Sequence, residues 1–522
     1  MDLASSTQEF QAKNKKAICK TKSPFLNKTI QITKLSAILQ AELTSKGKGL
    51  DQFWNESSKE LSKKLWLPPQ TDFHDLALTN SSNGYLRSLE RDLSSSKKTK
   101  IDLPTKNSQM ICSKLSQFSP TAITEDENII TRKIRFYPNE DQVKFLNDCF
   151  GQHRYHYNKC VEYFREHEDA RHDFRTLRNR VVFINNLIYG DNEWMNRVPI
   201  DTRSGGVRDF AAALDAARSN KKNGNIKHFK MKFKKKKVAQ ICHFNKNTLK
   251  KGFKLCINRL KKNSKLSFTG KTEQWMYKNV DPKNLDGSFS IYRNPAHQYY
   301  LHLVIKPEIK KYSDSEVDTR KPIVALDPGE KIFQTFYSET EIGALGYEFA
   351  RKDLEEIHKK EDKFKKLIKD RDFGARKRRH MKRRCALLRT KAKNKVRDLH
   401  WQSADFLTKN YKVILLPKFS VKSIVKKPNS GLNKRRLLSL SHYAFRNRII
   451  HKAKKNCNVV ILCSEAYTTK TCGGCGVLST CDGNRIHNCS CGLSIDRDVN
   501  GARNVLLRSL TKYFEDGDGA SS

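Results

Sequence analysis

Four cysteines place the tightest constraint on how this chain can fold. Cys472-Gly-Gly-Cys475 and Cys489-Ser-Cys491 stand with 13 residues between the pairs. A glycine-flanked turn can aim two thiolates at one point, and four thiolates complete the tetrahedral shell of Zn2+. Gly473, Gly474, Gly476 and Gly492 supply the backbone freedom such knuckles need. The rival is a redox-active Cys-x-x-Cys, which lacks the surrounding strand–helix–strand pattern of that chemistry. Four protein ligands leave no open position for water, so the zinc is expected to be structural. Cys481 and His487 are spare ligands in the same stretch.

The other nine cysteines are scattered singly, which argues for a reducing compartment rather than a secreted disulfide framework. Met1 to Ser6 has neither a basic start nor an apolar core for secretion, and no apolar run reaches the length of a membrane helix. A soluble intracellular protein with no membrane partner is expected. The 102 Lys and Arg outnumber the 55 Asp and Glu, a net charge of +47 across 522 residues. Compacting that much like charge calls for a polyanion, and Lys and Arg displace counterions from phosphates, so nucleic acid is the expected partner. A ribosome-associated or merely basic protein is the alternative. Hydrophobic content of 37% supports folded cores in several domains.

Residues 1–125 are rich in Ser, Lys, Thr and Asn and read as a partly disordered extension. Within it, Trp54, Leu61, Leu65 and Trp66 fall at helical spacing before Pro68-Pro69, either a docking helix or a locally packed one. Residues 126–225 begin with a strand, Lys133 to Pro138, followed by helical patterns at Glu140–Phe150, Tyr155–Phe164, Val181–Ile188 and Val207–Ala217. Residues 226–316 alternate apolar and basic positions and predict a small basic β-barrel. Phe289–Tyr292 and Tyr299–Ile305 form a hairpin there, and Lys234 to Lys237 is a phosphate-facing run. Residues 317–508 predict an α/β domain: a buried strand over Pro322–Gly329, a basic helical pair over 351–407 turning at Phe373-Gly374, and strands at Lys412–Leu416 and Asn458–Leu462. The helix Leu440–Lys455, the knuckle at 472–491 and a short helix Val499–Leu507 complete it. Residues 509–522 read as a flexible tail.

Asp327 ends the first of those strands, and Asp498 opens a helix some 170 residues later. Either acid alone is equally a turn former or a helix cap. Together they suit phosphodiester hydrolysis, in which carboxylates from separate elements hold two Mg2+ ions ~4 Å apart. Gly501 and Ala502 would let the second helix pack close to a sheet.

Leu326-Asp327-Pro328-Gly329, Tyr467-Thr-Thr-Lys-Thr-Cys472, Cys489-x-Cys491 and Asp498-Val-Asn-Gly-Ala502 resemble the RuvC nuclease of TnpB transposon proteins and type V CRISPR effectors. Arg135-Phe-Tyr-Pro138 with Gln142, and Tyr157-Asn158, are similar to the TnpB amino-terminal region, so the resemblance covers about three quarters of the chain. The long amino-terminal extension and one departure point to Fanzor, the eukaryotic and viral relative. In TnpB the second catalytic motif is a strand ending in Glu; here that strand reads Val413-Ile-Leu-Leu-Pro417. No Asp or Glu occurs from Phe406 to Ser464, and the first acid afterwards is Glu465. Fanzor proteins resemble this case, their catalytic Glu being relocated to the later position. The strand preceding Glu465 can run beside the Asp327 strand and deliver a carboxylate to the same sheet edge.

The resemblance implies an RNase H-like α/β fold and an RNA-guided DNA endonuclease encoded by or derived from a transposable element. It implies Asp327, Glu465 and Asp498 as ligands for Mg2+ or Mn2+, and Cys472, Cys475, Cys489 and Cys491 as ligands for Zn2+. Guide RNA of the omega-RNA kind would read sequence and the protein duplex shape. One chain would act with one RNA on double-stranded DNA, in the nucleus. An unguided RuvC-fold nuclease or transposase accessory protein, and a catalytically decayed RNA-guided regulator, are the alternatives.

Overall fold

The computed structural model describes residues 130–518 except 169–171, 185–192, 283–284, 286, 306–318, 370–373, 427–430 and 479–483, and two short strands at Leu78–Asn80 and Arg87–Leu89. The Trp54 island and Cys481 lie outside the described residues. The described residues divide into two compact units: Glu125–Glu308 with Phe364–Leu387, and Ile309–Lys363 with Leu388–Ser522. Among the described residues no helix is long and apolar enough to cross a membrane.

The first unit opens with strand β1 (Ile130–Phe136) and one continuous helix α1 (Glu140–Glu166), where the sequence predicts two. Asn139 starts α1 through a capping box: its side chain accepts from Gln142 N at 2.9 Å, and Gln142 Oε1 accepts from Asn139 N at 3.3 Å. Buried Gln142 also donates to the carbonyls of Asn263 and Lys265, which makes this motif residue a structural one. Helix α2 (Ile200–Lys222) packs on α1 through Tyr157, Val161, Val207, Phe210 and Leu214. Strands β2 (Gln240–Phe244), β3 (Phe289–Arg293) and β4 (Tyr299–Ile305) follow, with the expected hairpin pairing Arg293 to Tyr299. The antiparallel order is β1-β4-β3-β2. Among the described residues β1 and β2 stay unpaired edges, so the expected barrel is an open sheet whose apolar face is covered by Leu146 and Phe150 of α1.

The second unit is built on a five-stranded mixed sheet of β5 (Lys321–Pro328), β6 (Ile332–Ser338), β7 (Ile342–Tyr347), β8 (Tyr411–Pro417) and β9 (Val459–Cys463), in the order β7-β6-β5-β8-β9. The β5-β6 and β6-β7 pairs are antiparallel, whereas β5-β8 and β8-β9 are parallel. Both faces are buried, which is why the parallel strands read as unbroken apolar runs. Ile323, Ala325, Val413, Leu415, Val459 and Ile461 face helix α6 (Arg497–Asp518) and the cysteine knuckle. Val324, Leu326, Ile414, Leu416 and Val460 face α3 (Glu355–Lys369), α4 (Ala375–Asn410) and α5 (His442–Lys455). At the sheet end of the α3–α4 pair, Glu361 binds Arg389 and Asp353 binds Lys395, each at 2.7 Å, an antiparallel arrangement. Helix α6 corrects two expectations: it is 22 residues long rather than ending at Leu507, and it occupies most of the stretch read as a flexible tail.

Candidate active site and cysteine centre

Asp327 lies near the carboxyl end of β5 on the face turned to α6, one of a side-chain series that includes Ile323 and Ala325. A Cβ added to Gly501 would stand 2.6 Å from Asp327 Oδ2, so only glycine admits the carboxylate against this turn of the helix. Asp498 sits one turn earlier on α6. That turn is held by Asp496, whose Oδ1 accepts from Asp498 N at 2.8 Å and Val499 N at 3.3 Å, an N-cap. Arg485 bridges Asp496 at 2.7 Å and Asp498 at 2.9 Å. Glu465 lines the same cleft as Asp327 and Asp498, with Arg485, Arg497 and Thr468 around them.

The route by which Glu465 arrives differs from expectation. Its strand β9 does not run beside β5, because β8 lies between them. Leu415 pairs with Ala325, and Pro417 pairs with Cys463. The carboxyl end of β8, with Pro417, is therefore the position next to Asp327. Glu465 stands two residues beyond Cys463, off the strand end, where the chain can turn back across β8. Its carboxylate accepts from the backbone N–H of Ser420, in the loop that leaves β8. Sequence reasoning named the residue but assigned the wrong strand neighbour.

The electrostatics fit a cation site. Burial pushes the Asp327 carboxyl well above its ordinary range, and the negative charges of Asp498 and Glu465 push it further. Burial also raises Glu465, against the opposing Ser420 hydrogen bond. Burial brings Asp496 to about 6, with Arg485 pulling it back. Carboxylates gathered in a low-dielectric cleft repel one another until a divalent ion neutralises them, and an all-oxygen donor set suits Mg2+ or Mn2+. Gly501→Ala tests the close approach. Helix propensity gains ~1 kcal/mol and overpacking costs ~1–3 kcal/mol, so the net loss of stability is at most ~2 kcal/mol. A displaced Asp327 should cut the cleavage rate about 100-fold; an unchanged rate would show that the approach does not position it.

The four predicted cysteines converge. Their sulfurs lie within 4.8 Å of one another, with Cys472–Cys491 at 3.7 Å and Cys475–Cys489 at 3.5 Å. A tetrahedron of ~2.3 Å Zn–S bonds has edges of about 3.8 Å, so the residues fit the ion. His487, the spare candidate, lies on the ribbon strand Ile486–Asn488 and is not part of this cluster. The knuckle is tied to α6: Asn500 Oδ1 accepts from Gly473 N at 2.9 Å, and its Nδ2 donates to Thr471 O at 2.8 Å. Asn504 Nδ2 donates to Thr468 O and Thr471 O, and buried Arg503 to Gly473 O.

Residues 442–505 match the family model described as the Cas12f1-like, TNB domain, and residues 129–168 match a helix-turn-helix domain. A TnpB-like protein of Acanthamoeba polyphaga mimivirus is 26% identical over 499 residues, 88% of this chain and 88% of its own length. A second TnpB-like protein of that virus is 27% identical over 416 residues, 74% of each chain. The chain is thus similar to TnpB-like proteins over most of its length. Its residues 129–168 carry β1 and the single helix α1. Among solved structures it is similar to a chain of a Cas12f1–sgRNA–target DNA complex, with a TM-score of 0.42 and 15% identity over 69% of this chain and 81% of that one.

Proposed function

We propose that this chain is an RNA-guided, metal-dependent DNA endonuclease of the Fanzor branch, derived from or encoded by a transposable element. The observation that carries the reading is the meeting of Asp327, Glu465 and Asp498, from three separate elements, in one cleft. The sheet order, with its antiparallel β7-β6-β5 half and parallel β5-β8-β9 half, supports an RNase H-like (RuvC) nuclease. Mg2+ or Mn2+ bound by the three carboxylates would activate the attacking water and stabilise the leaving oxygen. The chain's own contribution is rigid placement: Asp327 is seated against Gly501, Asp498 is capped through Asp496 and bridged by Arg485, and Glu465 is held by Ser420 N–H.

Guide RNA and target DNA suit the charge of +47. The runs at Lys234–Lys237 and Arg376–Arg384 face phosphates in this reading and serve as nuclear import signals, so a tagged protein concentrates in the nucleus. One chain works with one RNA. Binding should weaken steeply with salt, each neutralised phosphate adding roughly one unit to the log–log slope; a flat dependence would place the basic runs in solvent. The deciding experiment compares cleavage by the chain with its co-purified RNA and after RNA removal. Guided cleavage requires the RNA, whereas equal cutting of the same targets without it makes the chain an unguided RuvC-fold nuclease.

A further inference from the structure

The first unit holds a second group of metal-ligating side chains, far in sequence from both the carboxylates and the cysteines. His153 of α1, Asp209 of α2 and His243 of β2 bring one ligand atom each to within 4.8 Å of the others. His243 Nε2 is 3.0 Å from Asp209 Oδ1, and His153 Nε2 is 3.4 Å from Asp209 Oδ2. The site is built by close backbone approach. A Cβ on Gly206 would collide with the carbonyl oxygen of His153, and one on Gly205 would stand 3.2 Å from His243 Cβ. Two adjacent glycines thus let α2 bring Asp209 between the two imidazoles.

One atom in this group lacks a partner. His153 is 2% exposed, and its Nε2 makes no hydrogen bond despite pointing at the Asp209 carboxylate. A buried ring nitrogen left unsatisfied beside a carboxylate oxygen is a costly arrangement, which a cation held between the two groups removes. Burial holds the His153 pKa down to about 3, with Lys234 adding to the effect. The cation now nearest is the Lys234 ammonium, 2.8 Å from Asp209 Oδ2 and 4.2 Å from the Tyr157 ring centre. Asn158 fixes the Lys234 backbone, its Oδ1 accepting from Lys234 N at 2.8 Å and its Nδ2 donating to Lys234 O at 3.3 Å. The lysine side chain is 31% exposed.

We propose that His153, Asp209 and His243 form a second metal site, a two-imidazole, one-carboxylate centre for a divalent transition metal, Zn2+ foremost. Ligand separations of 3.0 and 3.4 Å match the edge of a tetrahedron with ~2.0–2.1 Å bonds. Nitrogen with carboxylate oxygen selects zinc, cobalt or nickel over Mg2+ and Ca2+. The ion takes the place of the Lys234 ammonium against Asp209, and water completes the shell from the side where Asp209 and His243 are about a quarter exposed. Binding ties α1, α2 and β2 together and turns Lys234, the first residue of the basic run, outward to phosphate.

The test uses the full-length chain, stripped of metal and nucleic acid and reloaded with Co2+ alone. Thiolate ligation gives an intense sulfur-to-cobalt charge-transfer band, whereas the histidine–carboxylate site adds only weak visible absorption. The cysteine band therefore reports correct folding independently of the new site. With the carboxylate cleft disabled by Asp327→Asn and Glu465→Gln in every sample, the otherwise wild-type protein should take up about two equivalents, and His243→Gln about one with the cysteine band intact. Lys234→Met removes the competing ammonium and should tighten the second equivalent about tenfold or more. A second equivalent that persists in His243→Gln overturns the proposal. So does saturation at the cysteine site alone in both wild type and Lys234→Met.

Discussion

Glu465→Ala should lower DNA cleavage in Mg2+ by about a thousandfold or more while leaving nucleic-acid affinity within a few-fold of wild type. The carboxylate shares its cleft with Asp327 and Asp498, and its charge is one of the causes that raise Asp327. Asp327→Ala and Asp498→Ala should match it, and double variants should be little worse than singles, since the three act as a unit. Glu465→Ala cutting at the wild-type rate would refute the assignment. The sheet supplies a companion variant. Pro417 ends β8, the strand between those of Asp327 and Glu465, two residues past the Leu415 that pairs with Ala325. Pro417→Glu on the Glu465→Ala background should therefore regain part of the activity; no gain would show that the end of β8 points away from the metals.

Stability should move the opposite way from activity at Asp327. Its folded pKa is raised above the unfolded value by burial first and by its acidic neighbours second. The resulting penalty is absent below the unfolded pKa of about 3.9 and grows as pH rises through the folded pKa. The penalty thus sets in once the unfolded carboxyl ionises and is constant above the folded pKa. Asp327→Asn removes that charge, so the metal-free variant should melt higher than metal-free wild type at neutral pH and cut no DNA. Adding Mg2+ should raise the melting temperature of wild type alone. A lower melting temperature for Asp327→Asn than for wild type would place the carboxylate in a better-solvated setting.

Much of this site is legible in the sequence because the residues sit at positions with a local signature. Asp327 ends an apolar run, Asp498 precedes Gly501 and Ala502, and the cysteines carry their own spacing. Glu465 is different: only the resemblance and the absence of other acids point to it. The order of strands was not legible, since alternation tells which face a side chain takes and not which strand lies beside it. Strands β6 and β7 carry no readable signature, for a related reason. All seven residues of Ile332–Ser338 are buried, Gln334, Thr335 and Ser338 among them, so neither alternation nor an unbroken apolar run marks the strand. Asp496 had a readable signal, an acid just before a helix. Arg485 had none, lying in the knuckle 13 residues from the carboxylate it bridges. His153, Asp209 and His243 come together only through the packing of α1, α2 and β2, which no spacing announces.

Removing the zinc ligands should cost both stability and catalysis, through one path that can be traced atom by atom. Cys472 is fully buried beside Val499, Ala502 and Leu506 of α6, so the knuckle is part of the nuclease core. Between the first cysteine pair, Gly473 donates to Asn500 and accepts from Arg503, while Thr471 O accepts from Asn500 and Asn504. All three of those side chains belong to α6, the helix that carries Asp498 and presses Gly501 on Asp327. Apparent zinc affinities in isolated fingers amount to about 10–16 kcal/mol at neutral pH. Here the existing core retains part of the fold, so Cys472→Ser or Cys489→Ser should lower stability by several kcal/mol, about 1 kcal/mol corresponding to ~2–4 °C of melting temperature for a unit of this size. Soluble protein and zinc content should fall together. Cleavage should then fall further than the loss of folded protein explains, because the surviving molecules hold Asp498 on a loosened helix. The check is metal analysis beside melting curves and single-turnover cleavage on the soluble fraction. Well-folded wild type without zinc would end the assignment. A Cys489→Ser variant that loses zinc yet cuts at the wild-type rate per folded molecule would show that α6 is held by the sheet alone.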